Sequence, residues 1–419
     1  MHYNRLIASV LAVNAAVAWY GVRAGWWSGP TTRLEAIGAV AQANLVLAVL
    51  PRQQYVVNLV GWAATRPSAR WPLRLRWALG KYYHLGGFHV GAALAGTLWY
   101  AAFVAAVVAD WARGAPDVTT ANVVLTGAVV AVLLAVVVLA LPRLRARHHD
   151  LFEASHRFGA WLALVLTWAN TIVFARARHP GSATLAALAA TPMAWLLALT
   201  TVLAAWPWLL LRKVPITVER PSAHVAIVEV HHDVRTRVGT TRPISRHPLF
   251  GWHHFGIVPP RPGRRGYRMV ISRAGDWTAA FIDDPPGHVW VRGLPAVGVA
   301  NVRRLFRKVV FVATGSGIGP ALGHLLAGEL PTKLVWVSRD PVRTYGDALA
   351  GEVLAAQPDA LIWSSDEHGK PDVLALAYQA YVESGAEAVI CVSNRTVTWQ
   401  VVHGLEQRGI PAFGPIWDS

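Results

Sequence analysis

The sequence predicts a six-helix transmembrane bundle followed by an antiparallel β-barrel and an α/β nucleotide-binding domain. Three observations predict it. The first half carries long apolar runs without charge, such as "ANVVLTGAVVAVLLAVVVLAL" over 121–141, long enough to cross a bilayer. After residue 213 the period shortens to alternation, in "HVAIVEVHHDVRTRVG" and "GYRMVISRAGDWTAAFID", with Pro and Gly at the borders. From residue 307 the rhythm is strand, glycine-rich turn, helix, as in "RKVVFVATGSGIGPALGHLLAG", which reads as βα units of a parallel sheet. The expected domains are 1–213, 214–306 and 307–419.

Six spans are expected, at 5–25, 34–60, 80–109, 120–141, 151–175 and 187–211. The first reads as a retained helix, because it lacks a basic start and further spans follow. Alternate loops are basic. Arg66, Arg70, Arg74, Arg76 and Lys81 separate spans two and three, Arg143, Arg145 and Arg147 follow span four, and Arg212 and Lys213 follow span six. The intervening loops are poorer in net positive charge, so both termini and the C-terminal half are expected in the cytoplasm. This accounts for much of the net charge of +16, from 39 Lys and Arg against 23 Asp and Glu. Contact with an anionic bilayer explains it better than nucleic acid, for which no zinc finger or RNA-binding signature is present. A single cysteine, Cys391, excludes an intrachain disulfide and a multi-thiolate metal cluster.

The sharpest local signal is "VVFVATGSGIGPALGHLL". A buried strand over 309–313 would run into Thr314, Gly315, Ser316, Gly317 and Gly319, with Pro320 in the first turn of the next helix. Small residues let a diphosphate reach backbone N–H groups and the positive end of the helix dipole. The bland reading is a tight turn without a ligand. Ser338 and Arg339 end the next strand, where a ribose would sit. A Ser–Arg pair there favours the 2′-phosphate of NADPH over NADH, or is solvated turn chemistry. Cys391 ends a third strand and would either approach the nicotinamide or fill a core site. Trp417 near the C-terminus would either stack on an isoalloxazine or pin the tail.

Histidines stand inside two spans. "KYYHLGGFHVG" places His84 and His89 at the start of span three, and "HHDLFEASHRFGAW" places His156 in span five. Both spans run outward from the cytoplasm, so His89 and His156 would lie at similar depth, at ~1.5 Å per residue. Neutral imidazoles on facing helices suit heme iron, and Gly86, Gly87, Gly91 and Gly159 would give a macrocycle room. Close helix packing uses small residues equally well. Asn58 and Asn170, also placed in spans, read as interhelical hydrogen bonds or as lining of a small-molecule pocket.

The order of these pieces resembles the ferric reductase and NADPH oxidase family, whose cytosolic half is a ferredoxin-reductase-like module. It is also similar to the membrane and reductase-like part of fungal integral membrane proteins that carry an adenylate-forming domain. The 419 residues show no such additional domain. "GWHHFGI" resembles the family's His-Pro-Phe flavin motif, with Trp252 leading it, His253 and Phe255 in the His and Phe places, and His254 where Pro is usual. "AGDWT" (274–278) matches a stretch after the flavin strands. "VRGLPAVG" keeps Gly293 of a Gly-Pro-Tyr-Gly segment, "GSGIGP" matches the nicotinamide loop, and "ICVSN" resembles a Cys-Gly-Pro stretch. No Arg-x-Tyr-Ser motif precedes the His motif; Arg242, Ser245 and Arg246 of "TTRPISRHP" stand nearest to it. The resemblance implies FAD, NADPH or NADH, and heme. The outer histidines of the family, about thirteen or fourteen residues further along each helix, are replaced here by Leu98, Phe103 and Asn170, which leaves one heme b at most.

These readings predict a membrane oxidoreductase passing electrons from NAD(P)H through FAD to a heme or another membrane acceptor. Quinone, ferric iron and oxygen are the small acceptors to consider. The competing reading is a non-catalytic nucleotide-sensing or transport membrane protein with a degenerate reductase domain. Oligomeric state is not legible in the sequence.

Overall fold

The computed structural model describes residues 2–28, 32–232 and 237–415. The chain divides into two compact units. Described residues within 2–53 and 84–206 form the first, and 54–83 with 207–415 form the second.

The first unit is helical: α1 (His2–Arg23), α2 (Leu34–Val49), then, after a segment that belongs to the second unit, α5 (Gly86–Ala112), α6 (Thr120–Leu139), α7 (Pro142–Arg147), α8 (His149–Arg178), α9 (Thr184–Ala189) and most of α10 (Pro192–Leu209). Among the described residues six helical stretches are, by length and composition, long and apolar enough to cross a membrane: His2–Arg23, Leu34–Arg52, Leu73–Ala112, Thr120–Leu139, His149–Arg178 and Pro192–Leu209. Their outer faces carry bare apolar side chains, among them Trp19, Leu98, Val124, Val165 and Leu199. Beside buried side chains such as Trp99, Phe103 and Phe174, small and polar residues are buried too. Gly87 and Gly91 meet the backbone of α1, with Tyr3 O 2.6 Å and Ile7 Cα 3.2 Å from an added Cβ. Asn14 and Asn44 exchange amide hydrogen bonds of 3.0 and 2.8 Å, and Trp99 donates to Asn14. An apolar outer face, with small and hydrogen-bonded residues at helix contacts, is compatible with a lipid surrounding.

The expected second span breaks early. Pro51 lies in a 3-10 turn (Leu50–Arg52) and Gln53 is extended. Proline supplies no N–H to continue the helix. The chain then enters α3 (Gln54–Ala64) and α4 (Leu73–Gly80), both in the second unit. Asn58 is therefore not a bundle residue.

The second unit opens with β1 (Arg212–Ser222), β2 (Val225–Val230), β3 (Thr240–Ser245), β4 (His253–Gly256), β5 (Tyr267–Ser272), β6 (His288–Val291) and β7 (Ala296–Val297). They form an antiparallel sheet in the order β4-β3-β6-β1-β2-β5, with β7 on β3. Reciprocal backbone bonds between Val258 and Arg268, 2.9 and 2.8 Å, bring the two ends together into a nearly closed barrel. Helix α11 (Asp276–Asp283) contributes Phe281 and Ile282 to its core.

Then come β8 (Val309–Thr314), α12 (Ile318–Ala327), β9 (Thr332–Ser338), α13 (Pro341–Ala356), β10 (Leu361–Ser364), α14 (Ser365–His368), α15 (Val373–Ser384), β11 (Ala388–Val392), α16 (Arg395–Glu406) and β12 (Ala412–Phe413). The sheet is parallel in the order β10-β9-β8-β11-β12. Alternation splits its strands between two cores. Val309, Phe311 and Ala313 pack with α12 and α13, whereas Val310 and Val312 pack with α15 and α16. The strand order reverses between β8 and β11, which opens a crevice at their carboxyl ends.

Candidate functional site

The crevice at β8 is built by its glycines. Gly315 sits at φ +54° and receives a hydrogen bond from Trp336 Nε1 on its carbonyl, 3.2 Å. Gly317 lies against β11, where an added Cβ would stand 2.0 Å from the Val392 carbonyl oxygen. Thr314 and Ser393 join the ends of β8 and β11 through their hydroxyls. Ser316 takes a hydrogen bond from Ser272 of the barrel, 2.7 Å. Gly319 and Pro320 pack on the barrel at Val270 and Gly256. Among the described residues no side chain caps α12, so its first amides and dipole face the crevice. This geometry suits a diphosphate.

Ser338 is buried at the end of β9 and Arg339 is exposed beside it. The β1–β2 hairpin adds a residue that the sequence reading missed. Burial, then the charges of Arg339 and Arg273, hold the His224 imidazole below its ordinary pKa. His224 thus feels the Arg339 charge although the two are far apart in sequence, and no local motif announces it.

Cys391 faces away from the crevice. It is fully buried in the core shared with α15 and α16, and burial pushes its thiol up to about 12. The expectation that it reaches the nicotinamide is corrected: strand alternation turns it to the opposite face of the sheet. Trp417 lies outside the described residues.

The flavin-motif residues converge, but on one another. The His253 ring lies 4.3 Å from Trp277, and Phe255 6.0 Å from it, under α11. Ser245 Oγ donates to Phe250 O and accepts from His247 N. Trp252 is covered by the Arg292 guanidinium at 4.4 Å, which also lies over Trp208 at 4.6 Å. Arg242 is 2% exposed, over Tyr267, and its Nη2 donates to Gly293 O at 3.3 Å. Its Nε and Nη1, and Trp252 Nε1, have no hydrogen-bond partner among the described residues. Burial lowers the Arg242 pKa, yet an arginine keeps its charge. The Tyr267 side chain interacts with the same guanidinium, and the donors left over suit an oxyanion. Those spare donors suit the oxygens of a diphosphate, and Trp277 lies beside both His253 and Phe255.

In the helical unit the structure brings His89 and His156 together. Their ring centroids are 5.9 Å apart, and His89 Nδ1 bonds the Ala48 carbonyl at 2.7 Å. His84 is elsewhere, 5.8 Å from His2. The expectation that Gly87 and Gly91 make room beside His89 is corrected. Two positions along a helix is more than half a turn away, and both glycines admit α1. Gly159 likewise admits Val136 of α6. Asn170 bonds Asn122 at 3.0 Å, an interhelical contact. Among the described residues no group of three or more metal-ligating side chains occurs.

A barrel followed by a parallel sheet whose first strand ends in a glycine turn at the strand reversal is the two-part arrangement that the sequence's resemblance to ferredoxin-reductase-like modules implies. Residues 299–419 match the family described as "Adenylate-forming reductase 03009, C-terminal domain". The whole chain is 38% identical to two proteins of Coprinopsis cinerea, adenylate-forming reductases 03009 and 06235. It spans 40% of the length of each. Among solved structures, a ferredoxin NADP+ reductase from Neisseria gonorrhoeae with bound FAD and NADP aligns over 49% of this chain and 98% of that one. The identity is 16% and the TM-score 0.39.

Proposed function

We propose that this chain is a membrane-bound NAD(P)H-dependent oxidoreductase that delivers electrons to an acceptor in the bilayer. The observation that carries the reading is the Gly315–Gly317 turn, with the uncapped start of α12, at the reversal of strand order. Arg339 and His224 would hold a 2′-phosphate, which favours NADPH. Arg242 would hold the diphosphate of FAD. FAD supplies the chemistry between a hydride donor and single-electron acceptors.

Chain connectivity supports the proposed sidedness. Residues 54–83 link two apolar helices, yet they pack within the same unit as the C-terminal half. Loop and C-terminal half would then share one side of the membrane, and the basic loops favour the cytoplasmic side.

The His89–His156 pair supports one heme as the acceptor: an anchored Nδ1 leaves Nε2 for iron. A membrane-dissolved quinone is the other acceptor. The test is a spectrum of the purified chain in lipid nanodiscs, with binding of 2′,5′-ADP. A flavin spectrum bleached by NADPH supports the oxidoreductase. A Soret band lost in both H89A and H156A assigns the heme. The Trp277 contact with His253 favours a second reading, a nucleotide sensor without electron transfer. Binding of NADPH without its oxidation, in protein supplied with FAD, would select it.

A further inference from the structure

We infer that Gln54 and Asn58, in the loop between the second and third apolar helices, are positioning residues for the flavin diphosphate site. The inference rests on the FAD reading above.

The two residues stand four apart on α3 and so share one face. Both direct primary amides at one backbone segment, Gly293–Val297. Leu294 N donates to Gln54 Oε1 at 2.6 Å. Asn58 Nδ2 donates to Pro295 O and Asn58 Oδ1 accepts from Val297 N, each at 2.9 Å. The asparagine thus pairs with the chain as a neighbouring strand would. Gly293 sits at φ +63°, and an added Cβ there would lie 1.9 Å from Gln54 Oε1. The glycine is required both by the backbone and by the approach of the glutamine.

That segment holds Arg242. Gly293 O accepts the Arg242 Nη2 bond, and the next peptide N–H is the one Gln54 holds. Fixing the Leu294 amide fixes the plane of the Gly293 carbonyl, since both belong to one peptide unit. The carbonyl in turn sets the direction of the guanidinium whose spare donors would meet the diphosphate. Neither Gln54 nor Asn58 would touch the cofactor.

The experiment measures FAD affinity of the full chain in nanodiscs by flavin fluorescence, for wild type, Q54A, Q54E, N58A and N58D. Binding of 2′,5′-ADP reports that the neighbouring domain is folded. We expect Q54A and N58A to weaken FAD at least about tenfold with 2′,5′-ADP binding retained. Q54E keeps the acceptor and restores affinity, and N58D keeps one of two bonds and falls between. The flavin reduction potential shifts with Q54A and returns with Q54E. Unchanged FAD affinity and potential in Q54A and N58A overturn this inference alone. A wild-type chain that takes up no FAD overturns the flavin reading on which it rests.

Discussion

The His253 ring and the Trp277 indole are in tilted contact, 4.3 Å between centroids with an interplanar angle of 34°, which ties the "WHHF" segment to the "GDWT" helix. Trp277 also stacks on Phe281, 5.1 Å away, a buried residue of the barrel core. W277A should therefore destabilise the second unit by about 2 kcal/mol, and a double-mutant cycle with H253A should return a coupling of about 1 kcal/mol. Additive effects in thermal unfolding would contradict the contact.

Gly317 should tolerate no side chain. The atom that its Cβ would strike is a strand carbonyl, which cannot swing aside. G317A should cost about 2 kcal/mol and abolish 2′,5′-ADP binding, while FAD binding persists. Retained 2′,5′-ADP affinity would remove the glycine turn from the nucleotide site.

Acid should loosen the loop that carries Gln54 and Asn58. Arg76 of α4 forms a double hydrogen bond with Glu387 and donates to Leu305 O. Burial works against the Glu387 carboxylate, but bonds from Arg76 and the Arg307 amide, and the charges of both arginines, hold its pKa below the ordinary 4.5. A depressed carboxylate stabilises the fold in full above its unfolded value, and that contribution is lost as pH falls through the folded value. Proteolysis within 54–83 should thus accelerate below pH 4.5 in wild type. E387Q should show the faster cleavage already at neutral pH, with a flatter profile. Identical profiles would show that the pair does not hold the loop.

Cys391 should resist iodoacetamide until the chain unfolds. Its thiol is buried and held protonated at neutral pH, and the thiolate is the nucleophile. Rapid alkylation of the native protein, or loss of NADPH oxidation on alkylation, would return the residue to the crevice.

Much of this architecture is legible in order along the chain. The six apolar stretches, the alternation after 213 and the glycine turn after β8 are local patterns with local causes. What failed were the inferences for Gly87, Gly91 and Cys391, which turned on the face each residue presents. Gly91 and His89 are neighbours in sequence and diverge on the helix, so the room expected for a macrocycle went to α1. Cys391 looked like a strand-end residue aimed at a cofactor, and its parity put it in the other core. His224 comes under the influence of the Arg339 charge although more than a hundred residues separate them.

The sequence by itself determined the membrane-type helices, the barrel and the nucleotide turn, because hydrophobic period, length and glycine placement act within a few residues. It also led to the expectation that His89 and His156 stand at similar depth, and their rings lie 5.9 Å apart. Tertiary structure alone decided the role of 54–83. Pro51 ends the helix locally, but the assignment of Gln54, Asn58 and Arg76 to the second unit rests on Leu294, Val297 and Glu387, more than two hundred residues away. Partners at that separation leave no periodicity in the chain, and only the closed fold brings their hydrogen-bonding groups face to face.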